Sequence, residues 1–384
     1  MIQVFRPNMP PAEAILPYMR RIDQRRWYSN FGPLYHELRA RFAAMFGVTE
    51  DQLVLVSNAT VGISLAIRAV MSQRAGGICL MPSWTFSASP LAAMAAGLQP
   101  YFGDVDRDTW ALDPTQISDA QMEQASALLV VSPFGTPLNM DDWETVVQKY
   151  GVPVVCDAAA SLDAVARAPE FQVTSIPIVI SLHATKALGI GEGAIVLCAD
   201  PDVIERVRQM SNFGFSKTSV SQVVGTNAKL SEYSCAVGLA ALDRWEGVRA
   251  NLLARSARYA EMLAPVDGVS LFGAESPYAS TYAVAELDHR DAYQLANFLS
   301  RSGVETRRWW RSGCHGHPTF NAFPASPLPE TRRLSRSTLG LPYYADISDE
   351  EMSRVVTLLG DFLASPHKRE DAAPALTRGA REVV

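Results

Sequence analysis

No apolar run in this 384-residue chain reaches the roughly 18 residues that a membrane-spanning helix needs. The opening residues, Met1-Ile2-Gln3-Val4-Phe5-Arg6, lack the charged region and apolar stretch of a secretory signal. No CxxC pair occurs, and the cysteines (Cys79, Cys156, Cys198, Cys235 and Cys314) are odd in number and widely spaced. They are expected as buried packing thiols in a reducing compartment, which makes the cytoplasm the expected location. Positive charge is also in deficit. The net charge of −6 excludes a general nucleic-acid binder, because neutralising phosphates dominates such binding. A few local arginines are still enough for an anionic small molecule. Internal repeats are absent. What remains, 48% apolar and 19% charged, describes a soluble globular protein long enough for one large domain and a smaller one.

The chain begins irregularly, with Pro7, Pro10 and Pro11, and then shows helical spacing of apolar residues from Leu34 to Phe46. An alternation follows. Strands are expected at Leu53–Val56, Ile78–Met81, Pro100–Phe102, Ala127–Val131, Val152–Cys156, Ile176–Leu182 and Ala194–Cys198. Helices are expected at Ala59–Met71, Ser87–Ala96 and Asp141–Tyr150. Short apolar strands interleaved with helices imply a mostly parallel sheet covered on both faces, with ligands at the carboxyl ends of its strands. One or two long helices over Ser231–Leu263 lead to a smaller α/β domain with a strand at Tyr282–Leu287 and helices at Ala292–Ser302 and Asp349–Leu363. The polar stretch Ser365–Val384 has no periodicity and is expected to be disordered.

Three strand-end loops carry chemistry. Ser57-Asn58-Ala59-Thr60 opens a helix with small and hydroxyl residues, which suits either a simple cap or a phosphate on free backbone N–H groups. Asp157 ends an apolar strand and is followed by alanines, so it has no local partner; it suits a helix cap or a protonated ring nitrogen. Lys186 follows the run Ile176–Leu182 and precedes a glycine-rich turn. Partial desolvation there favours the neutral amine that a Schiff base requires, although a lysine paired with a carboxylate fits the local sequence as well. Together the three match the needs of pyridoxal 5′-phosphate: an amine for its aldehyde, a carboxylate for its pyridine nitrogen, and a helix terminus for its phosphate.

The segment Ser181-Leu182-His183-Ala184-Thr185-Lys186 with Gly191-Glu192-Gly193 closely resembles the lysine motif of the DegT/DnrJ/EryC1/StrS sugar aminotransferases. Also similar to that family are Pro82-Ser83-Trp84-Thr85-Phe86, Gly103-Asp104-Val105-Asp106, Phe134-Gly135-Thr136-Pro137 and Gly225 through Glu232. The resemblance covers nearly the whole chain. It implies an α/β fold type I PLP-dependent transferase: an arm and large domain over 1–245 with a mostly parallel seven-stranded sheet between helices, and a small C-terminal α/β domain over 246–364. It further implies that Lys186 bonds to the cofactor and shuttles the proton, that Asp157 holds the pyridinium, and that Phe86 stacks on the ring. Ser181, the backbone of Ala59 and the hydroxyl of Thr60 would bind the phosphate. Asn227 would reach the phosphate in a neighbouring subunit, hence a homodimer with shared sites. His183 falls on the face of Ser181 by strand alternation, but a packed core histidine is an equal reading.

Some positions depart from the family pattern. Ala160 stands where Gln or His usually contacts the cofactor's phenolic oxygen, and Thr226 and Lys229 where Tyr and Arg are commoner. In Arg307-Arg308-Trp309-Trp310-Arg311 and on to His315, aromatics beside arginines suit a nucleotide base and diphosphate, or simply a packed domain edge. Arg307, Arg308, Trp309 and His315 are the substrate candidates. His315 and His317 lack further ligands for a metal, so none is expected. The resemblance implies amino transfer from L-glutamate to the C4 or C3 keto group of a nucleotide-linked 6-deoxyhexose, for O-antigen (lipopolysaccharide), capsule or antibiotic sugars. A keto-cyclitol acceptor and a catalytically silent scaffold are the alternatives. The pyridoxamine-dependent dehydratases of the family have histidine in place of the lysine, and Lys186 argues against that chemistry.

Overall fold

Runs such as Leu128-Leu129-Val130-Val131 and Ile178-Val179-Ile180 are apolar without alternation, as strands covered on both faces must be. In the computed structural model, which describes residues 1–71, 76–288 and 290–365, they lie inside a seven-stranded sheet. Its strands are β1 (Leu53–Val56), β2 (Ile78–Pro82), β3 (Gln99–Gly103), β4 (Ala125–Val131), β5 (Val154–Asp157), β6 (Ile178–Ser181) and β7 (Ala194–Leu197), in the order β1-β7-β6-β5-β4-β2-β3. Only β7 runs against its neighbours β1 and β6; every other pairing is parallel. Six strands therefore point the same way, and their carboxyl ends share one edge.

The helices in chain order are α1 (Ala12–Arg25), α2 (Pro33–Phe46), α3 (Ala59–Val70), α4 (Ala88–Ala95), α5 (Asp119–Gln124), α6 (Met140–Tyr150), α7 (Leu162–Arg167), α8 (Pro201–Ser211), α9 (Glu232–Asp243) and α10 (Trp245–Leu263). The strand period of two divides the core. Val54, Val56, Val155, Val179 and Val196 face α3, α4 and α8, whereas Leu53, Leu55, Cys156, Ile178 and Ile180 face α2, α6, α7 and α9. Burial of this kind contributes about 25 cal/mol per Å² of apolar surface, so these two layers dominate stability. Helix α2 begins at Pro33, and the buried Glu232 carboxylate accepts from the amides of Leu34 (2.9 Å) and Tyr35 (2.8 Å). That satisfies two of the orphan donors of a helix start from a distant element.

A second sheet, β10-β9-β8, is antiparallel and joins β8 (Val269–Leu271), β9 (Ala283–Leu287) and β10 (Thr338–Leu341). Helices α11 (Ala292–Arg301), α12 (Pro329–Ser337) and α13 (Asp349–Ala364) accompany it. The strand and helix expectations for the two sheets hold to within two residues at each end for most elements. Helix α1 has no counterpart in the sequence reading. It starts directly after Pro11, where a missing N–H costs nothing, and it tolerates Pro17 because Ile22 is buried and Tyr18 donates to Asp243 on α9 (2.8 Å). Helix α12 also escapes sequence reading because its residues are mostly polar or charged, with Leu334 as its one apolar side chain besides Pro329. Asp104 fixes its start by accepting from the amides of Glu330 and Thr331, both at 2.8 Å. The disorder expected of the tail concerns residues that, from 366 on, lie outside the described ones.

One buried carboxylate ties the two sheets together. Asp163 on α7 has no exposed side-chain surface and accepts from Arg167 Nε (3.0 Å), Arg249 Nε on α10 (2.7 Å) and the amide of Ala279 (2.7 Å). Asp163→Ala removes the carboxylate partner of Arg249 and leaves the buried Ala279 amide without its acceptor, and it is expected to cost about 2–4 kcal/mol. Chemical denaturation checks this, and a midpoint within error of wild type would show the contact to be dispensable.

Candidate active site

The shared edge collects the loops singled out from sequence. Ser57 to Thr60 leave β1, Ser83 to Phe86 leave β2, Phe134 follows β4, Asp157 closes β5, and Ser181 to Lys186 leave β6. The last of these folds back tightly. Leu182 N donates to Gly193 O, Ile190 N to Leu182 O, Ala184 N to Gly191 O and Lys186 N to His183 O, each at 2.8–2.9 Å. A Cβ on Gly189 would lie 2.6 Å from the Ala184 carbonyl, so this closure needs glycine. The result fixes the backbone of Lys186 at the strand rim.

Lys186 Nζ donates to the Tyr282 hydroxyl at 2.7 Å, and its partner is thus a phenol rather than the carboxylate that the local sequence also allowed. His183 lies beyond the end of β6 and is 40% exposed, which corrects the reading of a packed core histidine. Its Nδ1 meets Thr185 Oγ1 at 2.9 Å and its Nε2 lies 3.7 Å from Glu192, so it braces the lysine turn. Ser181 is buried, and its Oγ accepts from the His183 amide at 3.2 Å.

Asp157 is buried and accepts from Ser89 Oγ (2.8 Å) and the Ala159 amide (3.2 Å). Burial pushes its carboxyl pKa up, while those two hydrogen bonds and the charge of Lys186 pull it back. A carboxylate held so dry suits a cationic partner. Since Ser89 spends its proton on Asp157, Thr85 Oγ1 donates to Ser89 Oγ (2.7 Å), and this relay fastens the loop that carries Phe86. Ser89 was not among the sequence candidates; its position inside a helix, four residues after Thr85, was the only signal. Phe86 itself is 60% exposed although residues 81–85 are all buried, so its ring is free to cover a flat ligand.

Helix α3 supplies the anion end. Asn58 caps Val61 N through its side chain (2.9 Å) and accepts from Gly62 N through its carbonyl, while the amides of Ala59 and Thr60 have no acceptor among the described residues. Two free donors on a helix N-terminus suit a phosphate. A buried carboxylate, an amine, an exposed ring and an acceptor-free helix start are thus the donor set that pyridoxal phosphate requires, and the residues fit that group.

The aromatic and arginine segment is partly packing. Trp310 stacks on Phe134 with ring centroids 4.2 Å apart, and Trp309 meets Tyr282 edge-on at 5.1 Å with Arg307 over its ring. Trp310 and Arg311 adopt positive φ (59° and 46°), a conformation that costs energy in non-glycine residues and recurs at binding sites. Arg308 instead turns to α11 and α12, donating to the Ser335 carbonyl at 2.8 Å and lying 5.9 Å from the Tyr293 ring. His315 Nδ1 pairs with Ser83 Oγ at 2.7 Å and Cys314 N donates to Ser83 O at 2.8 Å, which locks this segment onto the Phe86 loop. Burial lowers the pKa of His315 and His317, which favours their neutral forms. Asn227 is exposed and accepts from Lys229 Nζ at 2.7 Å, meeting none of the other candidates. A cleft lined by Phe5, Thr185, Lys186 and Tyr344 opens beside the lysine, and a second is lined by Phe134, Ser280 and Tyr282. Among the described residues no helix is long and apolar enough to cross a membrane, and no three His, Cys, Asp or Glu are grouped to hold a metal.

Known proteins bear on this geometry. The DegT/DnrJ/EryC1/StrS aminotransferase family matches residues 11–360. A dTDP-4-amino-4,6-dideoxy-D-glucose transaminase of Shigella dysenteriae is 25% identical over 378 residues, which cover 94% of this chain and 99% of the relative. The crystal structure of DesI with its TDP-sugar product superposes with a TM-score of 0.84 at 34% identity, covering 94% of this chain and 92% of that one. An aminotransferase of Bacillus cereus, described as PLP-dependent, superposes with a TM-score of 0.87 at 28% identity over 94% of this chain and 99% of its own.

The raised carboxyl pKa of Asp157 gives a signed prediction. The folded protein binds that proton more tightly than the unfolded chain, so the stabilisation is complete below the unfolded value near ~4 and is lost as pH rises through the folded pKa. In protein freed of small molecules, Asp157→Asn is therefore expected to raise the thermal midpoint at pH 7, with the gap closing as pH falls. A lower midpoint at pH 7 would contradict the burial cost.

Proposed function

The chain belongs to the DegT/DnrJ/EryC1/StrS aminotransferase family, and from that membership we propose how its site works and on what. The enzyme is a PLP-dependent sugar aminotransferase. We assign as acceptor the C4 or C3 keto group of a nucleotide-linked 6-deoxyhexose, and as donor L-glutamate; dTDP- and TDP-sugars belong to the relative and the structure above, and they motivate the nucleotide. The observation that carries the reading is the convergence of Lys186, buried Asp157 and the acceptor-free amides of Ala59 and Thr60 on one sheet edge.

Bound pyridoxal phosphate supplies an electron sink for charge developing beside the transferred nitrogen. The rest is the work of the chain. Ala59 and Thr60, with the Ser181 hydroxyl, hold the phosphate. Asp157 keeps the ring nitrogen protonated, and its own dry setting makes that cation a favourable partner. Phe86 covers one ring face. Lys186 would supply the amine for the aldehyde and the base for a proton at the donor's α carbon. In this reading residues 1–245 present the cofactor and residues 246–364 close over it, with Trp309, Arg307 and His315 at the substrate side. Arg308 has a lesser claim because it faces α11 and α12.

A homodimer completes the proposal. Near Asn227 two apolar side chains are open to solvent: Phe213, 45% exposed beside Lys229, and Val224. A second copy covering this face would bring Asn227 to the phosphate of its partner. The cytoplasm suits the five buried free thiols.

Spectroscopy tests the assignment. Wild type loaded with pyridoxal phosphate is expected to show a visible band that L-glutamate bleaches with release of 2-oxoglutarate and that a nucleotide 4-keto- or 3-keto-6-deoxyhexose restores. Lys186→Ala is expected to bind the cofactor without that band and to lose turnover by about 10³-fold or more. Restoration by a keto-cyclitol alone would overturn the acceptor, and full activity of Lys186→Ala would overturn the role of the lysine.

A further inference from the structure

Four consecutive residues of the loop into β9 each reach back to the large sheet's active edge. Ala279 N donates to Asp163 (2.7 Å), Ser280 Oγ to the Phe134 carbonyl (2.6 Å), and Thr281 Oγ1 to the Thr185 carbonyl (3.1 Å). Tyr282 then accepts from Lys186 Nζ (2.7 Å). This strap also closes on the segment of Ala160. Gly135 holds φ +99°, and a Cβ there would lie 3.0 Å from Ser280 Oγ and 3.2 Å from the Ala160 carbonyl, so glycine at 135 suits the close approach of the three. The tyrosine ring is set by Phe134 (centroids 5.5 Å) and Trp309 (5.1 Å), both edge-on, which leaves its hydroxyl little freedom.

We propose that Tyr282 is a catalytic residue of the amino transfer, the group that holds and tunes the reacting nitrogen of Lys186. The proposal rests on Lys186 being the lysine that holds the cofactor. Ala160 offers no polar side chain to the reacting end of the site, and the strap delivers a hydroxyl to the amine. The phenol oxygen accepts from the amine's N–H and so fixes the direction of the lone pair that takes the donor's α proton. The proton moves from the donor's α carbon to the lysine nitrogen, and Tyr282 keeps its own.

Tyr282→Phe preserves the ring packing and removes only the hydroxyl. The test is a pH titration of the visible absorption of PLP-loaded protein without donor, for wild type, Lys186→Ala and Tyr282→Phe, followed by single turnover with L-glutamate and α-deuterated L-glutamate. In Tyr282→Phe the band is expected to form but to titrate about half a pH unit or more lower, because an acceptor for the protonated nitrogen is gone. Single turnover is expected to slow by about tenfold or more with a larger deuterium effect, at an unchanged thermal midpoint. A wild-type band with an unshifted Tyr282→Phe titration and an equal rate would overturn the role of Tyr282 and leave that of Lys186 standing. Absence of any band in wild type would overturn both.

Discussion

Six strands of the large sheet point in one direction, and the chemistry of this protein is a consequence of that single constraint. Parallel strands deliver their carboxyl ends to one edge, where the ladder hydrogen bonds stop and the loops are free to carry polar groups. Ser57 to Thr60, Phe86, Phe134, Asp157 and Lys186 come from strands far apart in sequence, yet each follows or ends a strand of that set. Strand β7, the one that runs backwards, carries none of them.

The edge alone would leave a buried carboxylate and a loose amine. Both are restrained by neighbours that belong to other elements. Ser89 and Thr85 bind Asp157 to the Phe86 loop, and Ser83 binds that loop to Cys314 and His315. The 279–282 strap, anchored by buried Asp163, brings a phenol to the amine of Lys186. Stability and function pull apart at Asp157, whose burial is unfavourable for the charged form until a cation joins it, and the layers of Val, Ile and Leu on both sheet faces supply the margin that tolerates this.

Much of this was legible in the sequence, for a definable reason. Strands buried on both faces are written as unbroken apolar runs, so a lysine, an aspartate or a hydroxyl directly after such a run announces the strand end that bears it. The substrate side was less legible. Trp309 and Arg308 are two residues of one segment, but only the structure shows that the first meets Tyr282 and the second turns to α11 and α12. Tyr282 itself reads as an ordinary strand residue, since its partner lies 96 positions earlier. Ser89 and Asp163 were hidden in the same way, because a polar residue inside a helix looks solvent-facing until its neighbours are known. The acidic pair Asp104 and Asp106 resolved into backbone caps, of α12 and of the local turn. Prolines concealed α1, and a polar, charged composition concealed α12.

The most direct test of the account is the site of covalent attachment. Protein loaded with pyridoxal phosphate is reduced with borohydride, digested and mapped by mass spectrometry. Lysine is scarce in this chain, with Lys149, Lys217, Lys229 and Lys368 the only others besides Lys186. The pyridoxyl adduct is expected on the peptide carrying Lys186 and on no other. An adduct confined to a different lysine, or none at all, would contradict the site described for this protein.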